Sequence, residues 1–413
     1  MAAGTLIIGA GQGGYQVAAS LREAGYAEPV TIVGDEPALP YQRPPLSKAY
    51  LLGETTAERL MLRPQSYYEK HAIAVLTGDK AAAIDRAARR VTLASGRTLA
   101  YDHLVLATGA QNRKLPVPGA EADGVLYLRT LADADAIKAR FHSAQKIVVA
   151  GAGFIGLELA AVASKFGKEV TVVEALARCM SRAVTPVVSQ FFAEAHAAWG
   201  NRLMLEARIA GIETAGGRVT GVSTADGRTI PADLVLVGIG IVPETGLAAA
   251  AGLTLDNGIA VDGRLVTSDP AISAVGDCAS FPDAASGRRI RLESVQNAVD
   301  QGRCVAARLT GKAADYAAIP WFWSDQRELK LQMVGLTAGC ERTVVRGDLA
   351  ARAFSVFCFT GDRLIGIESV NRAADHMFGR RLLGAGQSIA PEEAADPAFD
   401  FKARLATLPR PAV

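Results

Sequence analysis

The sequence predicts an α/β protein built from two copies of one parallel-sheet unit, followed by a smaller α+β domain. Three observations carry this. A strand, a glycine-rich turn, a helix and a strand ending on an acid occur near the N terminus, and the pattern returns 142 residues later. Two further apolar runs exit into glycine turns, as strands of a buried parallel sheet do. From about residue 318 the texture changes to alternating β-rich runs with turn signals, then one helical stretch.

The first copy reads TLII (5–8), GAGQGG (9–14), helical YQVAASLREAG and the strand PVTIVGD (29–35). The second reads KIVVA (146–150), GAGFIG (151–156), LELAAVASKFG and EVTVVE (169–174). A lone GxGxxG says little. Here each copy lies between a strand and a helix, and an acid follows the last glycine by 21 residues (Asp35) or 18 (Glu174). That is the context of a Rossmann-like dinucleotide-binding fingerprint. Gly9 and Gly151 permit the tight turn. Gly11 and Gly153 let the backbone approach a pyrophosphate, and Gly14 and Gly156 let the helix pack closely on the sheet. The helix N terminus then offers unpaired N–H groups and its dipole to the phosphates. Asp35 and Glu174 can accept hydrogen bonds from ribose hydroxyls.

The remaining segments fit around the copies. DHLVLATGA (102–110) and DLVLVGIGIVP (233–243) are strands running into glycine turns, and RVTGVSTADGRTI (218–230) reads as hairpin strands. TSDPAISAVGDCA (267–279) is a turn, a strand and an acid at the strand exit. WFWSDQ, LQMVGL, TVVRG and FSVFCFTGDRLIGIESVN are the β-rich runs of the last domain, AADHMFGRRLLGAG is its helix, and residues 386–413 form a tail of uncertain order. The expected domains are 1–112 with 243–317, 113–242 inserted between them, and 318–413.

Composition narrows the function. The chain has 413 residues, is 21% charged and carries a net charge of +2, so bulk charge gives no reason to expect nucleic-acid or membrane partners. No run approaches the roughly 18 apolar residues of a spanning helix. MAAGTLIIGAG lacks the basic n-region of a signal peptide, so the expected location is the cytoplasm. Cys179, Cys278, Cys304, Cys340 and Cys358 form no CxxC pair and are expected to be free thiols. The five histidines are too scattered for a ligand set, and no metal site is expected.

Two dinucleotide sites in one chain imply that one nucleotide reduces the other. A nicotinamide leaves after each turnover, whereas a flavin stays and can release electrons singly. The N-terminal fingerprint, whose domain resumes after the second unit, suits tightly held FAD. The inserted unit suits exchangeable NADH. In GAGQGG, PYQRPPLSKAYL (40–51), LVLATGA, YLRT (127–130), GAGFIGLE, GIGIVP, TSDPAISAVGDCA, ESVQNA (293–298) and PWFWSDQ (320–326), the chain resembles the FAD-dependent pyridine nucleotide reductases. More narrowly, it resembles the ferredoxin reductases of bacterial cytochrome P450 and Rieske-type oxygenase systems.

The resemblance implies a glutathione-reductase-like arrangement of the two Rossmann-like domains. It carries FAD contacts to Gly13, Asp35, Lys48, Ala81, Arg129, Asp277 and Val295, adds Thr108 and Gly109 in the LVLATGA turn, and places Trp323 beside the flavin edge. The NAD pyrophosphate is expected on Gly151, Gly153, Phe154, Ile155 and Gly156, with Gly240 nearby. Glu174 suits the unphosphorylated ribose of NADH, while Arg178 is a residue type that accommodates a 2′-phosphate. Glu158 is expected at the nicotinamide–flavin contact, within reach of Lys48. Both are positioning residues, since hydride transfer needs alignment and no obligatory acid or base.

Flavin disulfide reductases carry redox cysteines soon after the FAD fingerprint, and related oxidases carry one there. In this chain the first cysteine is Cys179. The expected acceptor is therefore external; the resemblance implies a [2Fe–2S] ferredoxin, with Arg63, Arg303, Arg327, Lys330, Arg380 and Arg381 as candidates for a basic docking rim. Alternatives are a rubredoxin or monodehydroascorbate reductase, or a redox-sensing flavoprotein of the apoptosis-inducing-factor kind.

Overall fold

The computed structural model describes residues 3–283 and 287–408. The first two residues of the first expected domain, residues 284–286 within it and the last five of the tail lie outside the described residues. The chain forms two compact units, each assembled from three stretches: Met1–Arg43, Thr56–Gln111 and Ile241–Ala318 in one, and Pro44–Thr55, Asn112–Gly240 and Ile319–Val413 in the other.

The first unit is organised on a five-stranded parallel sheet. Its order is Ile272–Ala274, His103–Leu106, Thr5–Ile8, Val30–Val33 and Ile73–Leu76. Thr5–Ile8 and His103–Leu106 are buried throughout, which is why both read as continuous apolar runs without alternation. Leu6, Ile7, Ile32, Leu104, Val105 and Leu106 are at most 1% exposed, and each such side chain contributes about 1.5–3 kcal/mol on burial. Helix Gln12–Glu23 packs on helix Val295–Leu309 at very short range. A Cβ on Gly302 would lie 2.9 Å from the Gln16 Cβ, and one on Gly13 would lie 3.3 Å from a Val275 methyl.

The second unit holds a matching parallel sheet in the order Arg202–Met204, Glu169–Val173, Lys146–Ala150, Leu234–Val237 and Val125–Tyr127. It also contains the antiparallel C-terminal sheet, ordered Trp321–Gln326, Leu329–Gly335, Arg363–Val370, Ala353–Thr360 and Arg342–Asp348. Helix Ala373–Gly384 lies on that sheet through Phe378 and Leu382. The two sheets are tied by helix Pro186–Ala198. Phe191 on that helix meets Phe354 edge-on at 4.9 Å, and the fully buried Glu368 carboxylate accepts from the helix-capping Thr185 N–H at 3.0 Å and hydroxyl at 2.7 Å. Burial raises the pKa of Glu368 despite those donors.

Two segments depart from the sequence reading for visible reasons. Both fingerprint helices begin three residues early, at Gln12 and Phe154, because their glycines form the first turn itself. Glycine is poor inside a helix, but here close packing leaves room for nothing larger. The described part of the tail forms helices Pro391–Ala395 and Phe401–Ala406. Phe401 stacks on Phe378 at 4.0 Å with the rings 7° apart, and the Arg346 guanidinium lies over Phe401.

Candidate active site

The two glycine turns have the same construction. Gly9 and Gly151 adopt φ of +116° and +97°, where a Cβ would lie 2.1 Å from the Ala107 carbonyl oxygen and 2.6 Å from that of Gly238. Gly14 and Gly156 sit so close to the preceding turn that a Cβ would reach 2.0 Å from the Gly9 or Gly151 oxygen. Gly11 is different: a Cβ there would meet nothing within 4 Å, and Gly153 would meet only the Gly238 oxygen at 3.9 Å. These two residues cap their helices without any side-chain hydrogen bond, which leaves the first-turn N–H groups for an anion to take up. That pair of cradles fits a pyrophosphate at each helix N terminus.

The acids differ. Asp35 is exposed beyond Val30–Val33. Glu174 spans its own turn, with its two oxygens accepting from Ala152 N–H at 2.7 Å and Leu176 N–H at 2.8 Å. Each oxygen keeps a lone pair for a ribose hydroxyl. Arg178 donates to the carbonyls of Val184 and Ser181, both at 2.8 Å, and so closes its own loop. Gly240 follows Leu234–Val237 with φ of +102°. Phe154 packs on Phe322 at 4.6 Å, and Ile155 is 42% exposed.

Glu158 is the chemical centre of the second unit. Its fingerprint helix buries it to 2% exposure, yet three side chains converge on its carboxylate. One oxygen accepts from the Ser47 hydroxyl at 2.5 Å and the Lys48 ammonium at 2.7 Å; the other accepts from the Ser324 hydroxyl at 2.6 Å. Lys48 also donates to the Pro44 carbonyl at 3.2 Å. The 3₁₀ turn Pro44–Ser47 makes this possible, because paired prolines fix φ and deliver Ser47 and Lys48 side by side. A carboxylate this deep persists because it is paired and hydrogen-bonded. Trp323, next to Ser324, is half-buried and tilts against Trp321 at 5.6 Å.

The sequence-derived FAD residues divide between the units. Gly9, Gly11, Gly13, Gly14, Asp35, Ala81, Thr108, Gly109, Asp277 and Val295 belong to the first, and Lys48, Arg129 and Trp323 to the second. Thr108 donates to the Glu244 carbonyl at 2.7 Å, joining the two stretches that flank its strand exit. Asp277 occupies a short 3₁₀ turn after Ile272–Ala274, and Val295 opens its helix behind the Ser294 cap. Ala81 begins a β-strand, and the Arg129 N–H is held by Asp133 at 2.9 Å. Of the basic rim, Arg63 and Arg303 lie in the first unit and the other four in the second, where Arg380 covers Trp321 at 4.5 Å and Arg327 covers Trp199 at 5.2 Å.

Sequence reasoning missed Ser47, Ser324 and the Glu36–Arg43–Tyr41 cluster, in which Arg43 and Tyr41 both reach Glu36 at 2.5 Å. All but Glu36 and Ser324 lie inside PYQRPPLSKAYL, and Ser324 is in PWFWSDQ. The motifs were visible, but which polar member faced inward was not. The five cysteines are free; burial pushes Cys179 up to about 11, so it is no ready thiolate.

Residues 4–302 match the family described as pyridine nucleotide-disulphide oxidoreductase, and residues 321–405 match a reductase C-terminal domain. The chain belongs to the pyridine nucleotide-disulphide oxidoreductase family. It is an oxidoreductase, and the FAD and pyridine nucleotide expected from its two fingerprints are the cofactors of that family. Rhodocoxin reductase of Rhodococcus erythropolis is 52% identical over 97% of this chain and 94% of its own length. The crystal structure of the ferredoxin reductase for the CYP199A2 system from Rhodopseudomonas palustris superposes with a TM-score of 0.95 at 52% identity, covering 97% of this chain and 99% of that one. The putidaredoxin reductase of the covalent putidaredoxin reductase–putidaredoxin complex gives 0.95 at 42% identity, covering 98% of each chain. Among the described residues no helix is long and apolar enough to cross a membrane.

Proposed function

We propose that this family member is an NADH-dependent ferredoxin reductase, passing two electrons one at a time to a [2Fe–2S] ferredoxin that feeds a cytochrome P450 or Rieske-type oxygenase. The observation that carries it is the Ser47–Lys48–Glu158 cluster. The stretch in which a disulfide reductase keeps its cysteines supplies a hydroxyl and an ammonium instead, so electrons must leave for an outside acceptor. The names of relatives at 42–52% identity support the same reading, whereas two relatives named as rubredoxin reductases match at 36–37% identity.

The first unit would hold FAD on the Gly9–Gly14 turn with Asp35, and the second would hold NADH on the Gly151–Gly156 turn with Glu174. FAD held there would supply hydride acceptance from a nicotinamide and single-electron release. The residues of this chain bind, orient and neutralise. Lys48 and Glu158 form a nearly neutral pair that positions the reacting rings. NADH is favoured over NADPH because Glu174 would repel a 2′-phosphate and Arg178 is already engaged by two carbonyls. We assign residues 1–112 with 243–317 to FAD, 113–242 to NAD and 318–413 to a C-terminal α+β domain, and we place the protein in the cytoplasm.

The test is NADH-driven reduction of cytochrome c with and without added [2Fe–2S] ferredoxins. The expected result is strong stimulation by at least one ferredoxin. Rapid bleaching of the yellow protein by NADH with no stimulation by any of them would overturn the acceptor assignment.

A further inference from the structure

The polar contacts of Glu158 do not end at Ser324. The Ser324 hydroxyl accepts from the Gln326 amide at 3.2 Å, and the Gln326 oxygen meets the His196 ring Nε2 at 2.9 Å. On the far side, His196 Nδ1 meets the Asn201 amide nitrogen at 2.9 Å. Ser324, Gln326 and His196 are fully buried and Asn201 is 3% exposed, so this is a continuous, buried polar thread. Three parts of the second unit contribute to it: the fingerprint helix, the first strand of the C-terminal sheet, and the end of helix Pro186–Ala198.

The thread has a direction. Burial pushes the His196 pKa down to about 4, so the ring is neutral at ordinary pH and carries one N–H. With Asn201 donating to Nδ1, that proton sits on Nε2 and goes to the Gln326 oxygen. The Gln326 amide then donates to Ser324, which leaves the serine proton only one acceptor, the Glu158 carboxylate. Every donor points toward Glu158, and successive bonds polarise one another. Reversing any one member would require reversing them all and would put a proton on Glu158.

We propose that Gln326 and His196 are positioning residues for hydride transfer, acting through Ser324 to hold the Glu158 carboxylate in one orientation against Lys48. This rests on the reading that Glu158 serves the nicotinamide. With Ser47 and Lys48 on one oxygen and Ser324 on the other, the carboxylate is fixed at both ends. The site therefore keeps its shape while the nicotinamide leaves and re-enters, and the thread is what keeps the Ser324 hydroxyl aimed.

The experiment separates the two halves of turnover in the FAD-loaded full-length protein. Anaerobic rapid mixing with saturating NADH reads flavin bleaching, and ferricyanide reoxidation reads electron release without a nicotinamide. Ser324→Ala and Gln326→Leu should slow bleaching about ten-fold, the scale expected of a misplaced reacting group, with ferricyanide reoxidation unchanged. His196→Leu should do the same, and His196→Gln, which retains a donor, should recover most of the rate. If Gln326→Leu does not retain FAD, the Ser324 variant and the His196 pair decide the matter. Bleaching at the wild-type rate in Ser324→Ala and His196→Leu would overturn the inference, as would parallel loss of both half-reactions. A wild-type protein that NADH cannot bleach overturns the functional reading and this proposal together. Bleaching without ferredoxin turnover overturns only the choice of acceptor.

Discussion

Gln16 and Glu158 occupy the same place in the two fingerprint helices, two residues beyond the third glycine of each turn. Both are buried, at 9% and 2% exposure. Gln16 makes a local bond, donating to Ser20 one turn along at 2.9 Å, and its carbon chain packs under Gly302. Glu158 instead gathers Ser47, Lys48 and Ser324 from two distant parts of the sequence. One fold unit thus appears twice with the same turn and the same helix. A single side chain decides whether that helix only packs or also organises a charged site.

The sharpest way to break the comparison is in the turns. Gly14→Ala and Gly156→Ala place a methyl 2.0 Å from a backbone oxygen and should each cost at least about 3 kcal/mol, seen as lowered Tm, with yellow colour lost in the first. Gly11→Ala and Gly153→Ala meet open space; Tm should hold while cofactor binding weakens at the corresponding site. Equal loss of Tm in all four variants would refute the division between packing glycines and cradle glycines.

Next come the paired helix positions. Gln16→Glu buries a carboxylate beside a lone serine and should destabilise by roughly 3 kcal/mol in urea titrations. Glu158→Gln should leave the fold nearly intact and slow flavin bleaching by NADH between about ten- and a hundred-fold. A reversed ranking would show that Gln16 is the reactive position.

Buried neutral imidazoles occur in both units, among them His103 in the first and His196 in the second. Burial lowers both to about 4, against roughly 6.5 when unfolded. The unfolded chain therefore binds more protons between those values. Stability is complete above about pH 6.5 and falls as pH drops toward 4, by about 3 kcal/mol for each ring. His103→Asn and His196→Asn should each flatten part of the acid loss in urea midpoints from pH 7 to 5, and a slope unchanged in both would count against buried neutral rings. The smallest effect is expected from Glu174→Ala, which should raise half-saturation by NADH roughly ten-fold, about the worth of one charged hydrogen bond. FAD should stay bound. Loss of FAD in that variant would mean the two sites are interchanged.

Much of this was legible in the sequence because it is local. Strand Lys146–Ala150 and the φ-positive glycines follow from short-range pattern and backbone geometry. The Ser47–Lys48–Glu158–Ser324 cluster was only half legible, since spacing along the chain says nothing of which residues 111 or 166 positions apart will meet. Gln326 and His196 were invisible for a further reason. A buried glutamine and a buried histidine look like ordinary surface polar residues until their partners are known. The tail was misleading in another way: its charge and prolines suggested loose chain, while Phe399 and Phe401 supplied the apolar contact that orders it.

Neither compact unit is continuous in sequence. The first opens with the N terminus and is not complete until Ala318, and the second already claims Pro44–Thr55 before its sheet has been made. During synthesis the edge strand Ile272–Ala274 emerges long after its neighbour His103–Leu106, so the first sheet must wait, open on one side, while the whole inserted stretch leaves the ribosome. Such late pairing slows folding and lengthens the exposure of sticky edges. Neither unit can be excised by cutting one linker, and a nascent chain stopped before about residue 275 should need chaperones that the finished protein does not.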